Sequence, residues 1–392
     1  MLKLLLYTFP AIVNYILGGM NFICAYRFSE ARAPGWMVGA SLSMWAGIYL
    51  AVSLLLVRFV TVRNAGRLIC AGGIVLALSA LGFIVFDGLL TQFVWIAASG
   101  IGSAIYCTPF QVFSRSLGAG AEGGIRAATA NYTVSWSLGY AAGPFIFGVL
   151  SPVTAYFCNF ALSVVLAVGI LAIDRRCRPA GEMRGEPSSS SSAAGKGRRE
   201  RELLPLTGDG MLVWLGWSVG FAGVVANMIV RALVPFRGAL LEIPRDRLGF
   251  VMALIPAVQA LCAGCLRFFP TLPYRRLPLL AASFCGILSM GLFGVGGSFG
   301  VFLAASLLFG IYSGFFYFLY VFHSMAHPTR STFSLGINEA LVGFAGVFGP
   351  IAGGLLTSPA ASGRAFAVFL VPIAVAAAWG SFLIGRHFSR LK

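Results

Sequence analysis

Ser137-Leu-Gly-Tyr-Ala-Ala-Gly-Pro-Phe-Ile-Phe-Gly148 and Gly343-Phe-Ala-Gly-Val-Phe-Gly-Pro-Ile-Ala-Gly-Gly354 repeat one another 206 residues apart, each inside a long apolar segment. Small residues at helical spacing let helix backbones touch in lipid, where no hydrophobic force draws helices together. The Gly-Pro step removes one backbone hydrogen bond and permits a bend. A chain that carries this device twice points to duplication. Gly139, Gly143, Pro144 and Gly148 in the first copy, and Gly346, Gly349, Pro350 and Gly353 in the second, are therefore expected to form helix-packing seams.

The surroundings of both stretches are as apolar as the stretches themselves. Of 392 residues 58% are hydrophobic and only 10% charged, with a mean hydropathy of +0.88, too few charges to cover a water-soluble surface of this size. Apolar runs of at least about 18 residues mark spanning helices. They place spans near 4–26, 36–57, 68–86, 91–113, 127–150 and 153–173, and again near 211–230, 248–269, 277–297, 299–321, 333–356 and 364–385. The expected fold is an all-α polytopic membrane protein of twelve transmembrane helices in two six-helix pseudo-repeats. Six is even, so the second copy enters the membrane in the orientation of the first and the repeat is parallel.

The net charge of +16 could suggest nucleic acid, but its distribution speaks against that partner. With both termini cytoplasmic, 21 of the 28 Lys and Arg fall on the inner side and seven, among them Arg27, Arg32, Arg231 and Arg237, on the outer side. Lys3 followed by an apolar run imitates a secretory signal, yet no small-residue cleavage site follows, so the run reads as an uncleaved first span. The expected division is a bundle over 1–174, a largely disordered cytoplasmic linker over 175–210, and a second bundle over 211–392. Cys262 and Cys265 lie in a span and read as apolar filler, so no metal site is expected.

Three pairs align between the halves: the Gly-Pro stretches, Asn21 with Asn227 at the same 206-residue offset, and Gly100-Ile-Gly-Ser103 with Gly310-Ile-Tyr-Ser313 at 210. On these features the chain resembles the major facilitator superfamily over nearly its whole length, in its bacterial-type twelve-helix form. The Gly139 to Gly148 stretch is similar to that family's fifth-span motif, which is associated mainly with exporters. The family's loop motif Asp-Arg-x-Gly-Arg-Arg corresponds here to Arg63-Asn-Ala-Gly-Arg-Leu68, a base in place of the acid. Its antiport motif Arg-x-x-Gln-Gly-x-Gly corresponds to Ile96-Ala-Ala-Ser-Gly-Ile-Gly102, which lacks both polar positions and speaks against ordinary proton-driven drug antiport.

An ionisable group inside a span normally has a partner or a task, and Glu339 is the acid placed well inside one. It either titrates in a cavity as a coupling site or acts as a cytoplasmic latch to Arg58 or Arg63, and the packing face formed by Gly336, Gly343, Gly346 and Pro350 favours the latch. Asn21 and Asn227 either hold a polar substrate group or bond the halves together. Arg231 closes its expected span on the outer side, where snorkelling accounts for it and an anion-attracting vestibule is the alternative. Tyr106, Gln111, Asn131, Gln259, Tyr312 and Tyr317 complete the candidate lining of a largely apolar pocket. His323 and His327 read as solvated residues at the inner interface.

These features favour a secondary transporter of a small organic solute, leaning toward efflux of an amphipathic compound, without cofactor or ATP and with a coupling proton as an option. Uptake of a sugar or organic anion, or a sensor or scaffold built on a transporter fold, are the alternatives. A membrane enzyme would need clustered His, Asp or Glu, which the sequence does not suggest. The expected location is the bacterial inner membrane, with the protein monomeric.

Overall fold

The computed structural model describes residues 2–56, 58–116, 124–182, 211–326, 331–358 and 361–389. The chain folds into twelve long helices: α1 (Leu2–Glu30), α2 (Gly35–Leu56), α3 (Val62–Val85), α4 (Leu89–Ser116), α5 (Gly124–Val149), α6 (Pro152–Glu182), α7 (Met211–Leu240), α8 (Arg245–Leu266), α9 (Arg276–Val295), α10 (Phe299–Met325), α11 (Ser331–Leu355) and α12 (Arg364–Ser389). Among the described residues, eleven of them are long and apolar enough to cross a membrane. The exception is α5, whose apolar run is broken by Asn131, Tyr132, Thr133, Ser135 and Ser137. The sixth helix continues past residue 174 to Glu182, into the segment expected as linker. The rest of that linker, and His327, lie outside the described residues.

Helix contacts reproduce themselves between the halves. In the first half α1 packs on α5 and α6, α3 on α4 and α6, and α2 on α4. In the second half α7 packs on α11 and α12, α9 on α10 and α12, and α8 on α10. Each pair maps to its counterpart by adding six. Between the halves the main contacts are α5 with α8, its symmetry mate α2 with α11, and α1 with α7.

The repeat extends to individual turns, and there it fixes a register that differs from the sequence alignment. Arg32 ends the turn after α1 at φ 53° and Glu242 the turn after α7 at φ 57°. The backbone bonds of the two turns match one for one, Ala33 N–H to Phe28 C=O and Ile243 N–H to Gly238 C=O among them, and Pro34 and Pro244 then set up the next helix. Arg27 donates to the backbone carbonyl and side chain of Asp87 in the α3–α4 loop. Arg237 donates to the carbonyl of Gly296 in the α9–α10 loop (3.0 Å). The pairs within α1, α7 and their turns are all 210 apart, and the acceptors Asp87 and Gly296 are 209 apart, so α7 repeats α1 at an offset of 210. The counterpart of Asn21 is consequently Arg231, and Asn227 lies one turn away. The 206-residue match of the two asparagines is a coincidence of sequence, since the loops that change the offset lie later in the chain.

The two Gly-Pro stretches pack as tightly as backbone allows. A Cβ on Gly139 would overlap the carbonyl of Ala11, and one on Gly143 the carbonyl of Tyr15, so α5 lies backbone to backbone on α1. On α11 the fit to α7 is looser: a Cβ on Gly349 would stand 3.3 Å from the carbonyl of Val225 and one on Gly353 would meet the side chains of Leu233 and Ile229, while Gly346 meets Ala46 of α2. At the end of the bundle away from the chain termini both stretches reach across the halves. The carbonyl oxygen of Pro144 would stand 2.6 Å from a Cβ on Gly249, while a Cβ on Gly39 would overlap that of Pro350. Gly148 adjoins Gly249, Gly354 adjoins Gly35, and Arg245 donates to the carbonyls of Gly148 and Leu150 (3.2 and 2.9 Å). Ile351 N–H, next to Pro350, donates to Ser43 Oγ across the same seam (3.1 Å). That end is sealed by two pseudo-symmetric seams of bare backbone.

Gly139→Val is expected to lower stability by about 1–3 kcal/mol through overpacking against Ala11, read as a lower unfolding midpoint in detergent. Gly291→Val, whose Cβ would meet nothing, should leave the midpoint unchanged.

Candidate functional site

From Ala222 to Gly238 every residue of α7 is buried except Arg231, which is half-buried. The helix extends nine residues beyond it, about 13 Å at 1.5 Å per residue. Arg231 therefore does not close a span, and the snorkelling expected for it is overturned by the length of α7. Its guanidinium lies 3.8 Å from the ring centre of Tyr140 on α5, across the interface of the halves. Asn21 Nδ2 approaches Tyr140 Oη from α1 at 3.5 Å.

Two adjoining clefts meet at this arginine. Tyr140, Asn227, Gln259 and the apolar Val230, Met252, Ile255 and Pro256 line one. Asn21, Cys24 and Ser41 line the other. Gln259 Nε2 donates to Ser137 Oγ on α5 (2.6 Å), so α8 and α5 are joined beside the first cleft. Asn227 Oδ1 is buried without a protein partner. Tyr317 stands edge-on to Trp136 (5.0 Å between ring centres) and within range of the Arg231 charge. The structure thus brings Asn21, Asn227, Arg231, Gln259 and Tyr317 to one place.

It sends the other candidates elsewhere. Tyr312 packs between α9 and α10 against Gly286, Phe309 and Phe316, because its side of α10 faces its own half and not the centre. Tyr106 is buried on α4 with its ring stacked on Phe110 (5.1 Å). Asn131 accepts from Arg267 Nη1 (3.4 Å) and bridges α5 to α8 toward the chain-terminal end. His323 is buried, its Nε2 at 3.3 Å from the carbonyl of Pro273, and not solvated as expected, since α10 extends past it to Met325.

Glu339 forms a second group with Gln111, nearer the chain-terminal end. Gln111 Nε2 donates to Oε1 (3.3 Å) and Tyr49 Oη to Oε2 (3.5 Å). Arg58 and Arg63, the partners expected for a latch, are exposed, and the hydrogen-bond donors placed on the carboxylate are these two neutral groups. The carboxylate is nonetheless exposed, although it shares its helix face with Gly343, Gly346 and Pro350, which point inward. Tyr132, 41% exposed, stands across from it on α5. Glu339 is thus exposed at the end opposite the sealed seams.

Sequence reasoning missed Tyr140, Tyr49 and Trp136, and the glycines Gly39 and Gly249. The signal for Tyr140 was present, a ring set between Gly139 and Gly143 inside a run of small residues. Missed too was Asp174, buried over the first turn of α3, where a Cβ on Gly66 would stand 2.6 Å from its carboxyl carbon. A carboxylate there complements the helix N-terminus.

No protein-family profile and no curated protein matches the chain. Solved structures do. A mutant of the nucleoside transporter NupG matches at 14% identity with a TM-score of 0.63, covering 99% of this chain and 100% of that one. NupG itself matches at 13% and 0.61, covering 99% of each. The human organic anion transporter MFSD10 (TETRAN) matches at 13% and 0.60, covering 97% of this chain and 99% of that one. The fold of this chain is the major facilitator fold.

Arg231 and Arg237 should separate by stability. Arg237 is buried and bonded to Ser362 Oγ as well as Gly296, so Arg237→Gln is expected to cost about 1–3 kcal/mol. Arg231→Gln gives up only the stack on Tyr140, about 0.5–1 kcal/mol. Thermal unfolding of the two variants in detergent reads the difference, and equal losses would place Arg231 among the structural residues.

Proposed function

We propose that the protein is a secondary transporter that moves a small amphipathic organic solute through the membrane by alternating access, with the group around Arg231 as its central site. The observation that carries this reading is the placement of hydrogen-bonding groups without protein partners, Arg231 and Asn227 Oδ1, between two halves whose backbones meet at one end while Glu339 is exposed toward the other. A parallel repeat with a site at its interface is the architecture in which rocking of one half on the other exposes that site to each side in turn. The fold's neighbours include a nucleoside transporter and an organic anion transporter, which supports the same class.

With both termini in the cytoplasm, as the loop charges favour, the conformation is closed outside and open inside. We place the protein in the inner membrane of a bacterium, as a monomer, since a single chain supplies both halves of the pathway. The exporter-like character of the Gly139 to Gly148 stretch favours efflux. Glu339, an exposed carboxylate held by neutral donors, is the group to which we assign proton coupling.

Proteoliposomes test both parts. Solute counterflow should occur with the intact chain. Glu339→Gln should retain counterflow while losing most of the acceleration produced by an imposed pH gradient. An undiminished response to the gradient in that variant would remove the coupling role. A failure of every solute to move would count against transport itself.

A further inference from the structure

We infer that the solute carries one anionic group, a carboxylate or comparable oxyanion, held by Arg231, together with a hydrogen-bond donor held by Asn227 and an apolar body. The inference rests on the transporter reading above and names its substrate class.

Several independent features of the centre lead there. Arg231 stands nine residues inside α7, in a stretch whose other members are buried, and a cation so placed is expensive in a membrane unless something neutralises it. Among the described residues no carboxylate bonds it and no protein acceptor takes its N–H groups; its contact is with the face of Tyr140. A contact with a ring face takes none of the guanidinium N–H donors, which stay available for the bidentate bonding of an oxyanion.

The other arginine of the same helix shows the contrast. Arg237 spends its donors on Ser362 and Gly296, as an arginine that braces the fold does. The duplication supplies a second contrast: at the position equivalent to Arg231 the first half carries the neutral Asn21, so the scaffold itself does not call for a charge there. Asn227 Oδ1, buried without a partner in the same cleft, calls for a donor. Val230, Met252, Ile255 and Pro256 form the apolar wall of that cleft, which at about 10 Å³ has room for one water in this conformation, so the body of the solute enters against that wall only as the halves part.

The test uses the full chain in lipid nanodiscs and a panel of aromatic and aliphatic monocarboxylates, each paired with its primary amide. Indoleacetate and indoleacetamide form one such pair, with tryptamine as the cationic control. Thermal shift and competition should show binding of at least one acid with an affinity about tenfold or more above that of its amide, the difference a charge-assisted hydrogen bond makes. Arg231→Gln should abolish that preference, Arg231→Lys should retain part of it, and Asn227→Leu should weaken only acids that carry a donor. The unfolding midpoint of each variant without ligand separates lost binding from lost folding. Amides that bind as well as their acids, an unchanged preference in Arg231→Gln, or no response to any acid would overturn the inference. Counterflow of a neutral solute under those conditions would leave the transporter reading intact, whereas no counterflow of any solute would remove both.

Discussion

The carbonyl oxygens of Pro144 and Pro350 resting on Gly249 and Gly39 are the contacts on which the rest of the structure depends. In lipid, helices gain little from hiding apolar side chains, so close backbone approach is what holds one helix to another. Glycine contributes by offering no Cβ, and proline sits within a helix that runs on unbroken through it. Because the two contacts are related by the internal repeat, they close one end of the molecule evenly. The opposite end is left free to open around Glu339. A seam made of bare backbone has no side chains to disentangle, which suits a contact that must form and break as the halves rock.

Upon this nearly symmetric frame the two halves differ where chemistry is needed. Arg231 in the second half corresponds to Asn21 in the first, and by the 206-residue offset of α5 and α11, Glu339 corresponds to Thr133 and Gly346 to Tyr140. One half thus brings an interior cation and an interior anion, and the other brings the ring on which the cation lies. The stack of Arg231 on Tyr140 crosses the interface, so the site is complete only while the halves are together. Gln259 bonded to Ser137 repeats that logic on α8 and α5. The duplication gives the frame, and the departures from it give the site.

How far the sequence could be read depended on the range of each interaction. Apolar run length and small-residue spacing are local, so the helices and both Gly-Pro seams were legible. The end of α7 was not, because Ala232 to Leu240 is apolar enough to continue the span but is interrupted by Pro235 and Arg237, which in lipid read as an exit. Arg237 stays because Ser362 and Gly296, far away in the chain, take its donors. Reading the span as ending at 230 turned Arg231 into a surface residue, and the rest of the error followed. Glu339 was recognised as exceptional for its charge, but its partners Gln111 and Tyr49 come from α4 and α2, which no spacing within α11 could indicate.

By itself, then, the sequence determined that the chain is a helical membrane protein built twice in the same orientation, because hydropathy, loop charge and small-residue periodicity act over a few turns of one helix. Tertiary structure alone decided which residue of one half answers to which of the other, since that register is set by turns and inter-helix bonds and not by identity. It alone decided that Asn21, Tyr140, Asn227, Arg231 and Gln259 share one place, and that Tyr312 and Asn131 do not. The physical reason is that a helix presents every residue to some neighbour, and which neighbour it meets is fixed by the packing of helices far apart in the chain.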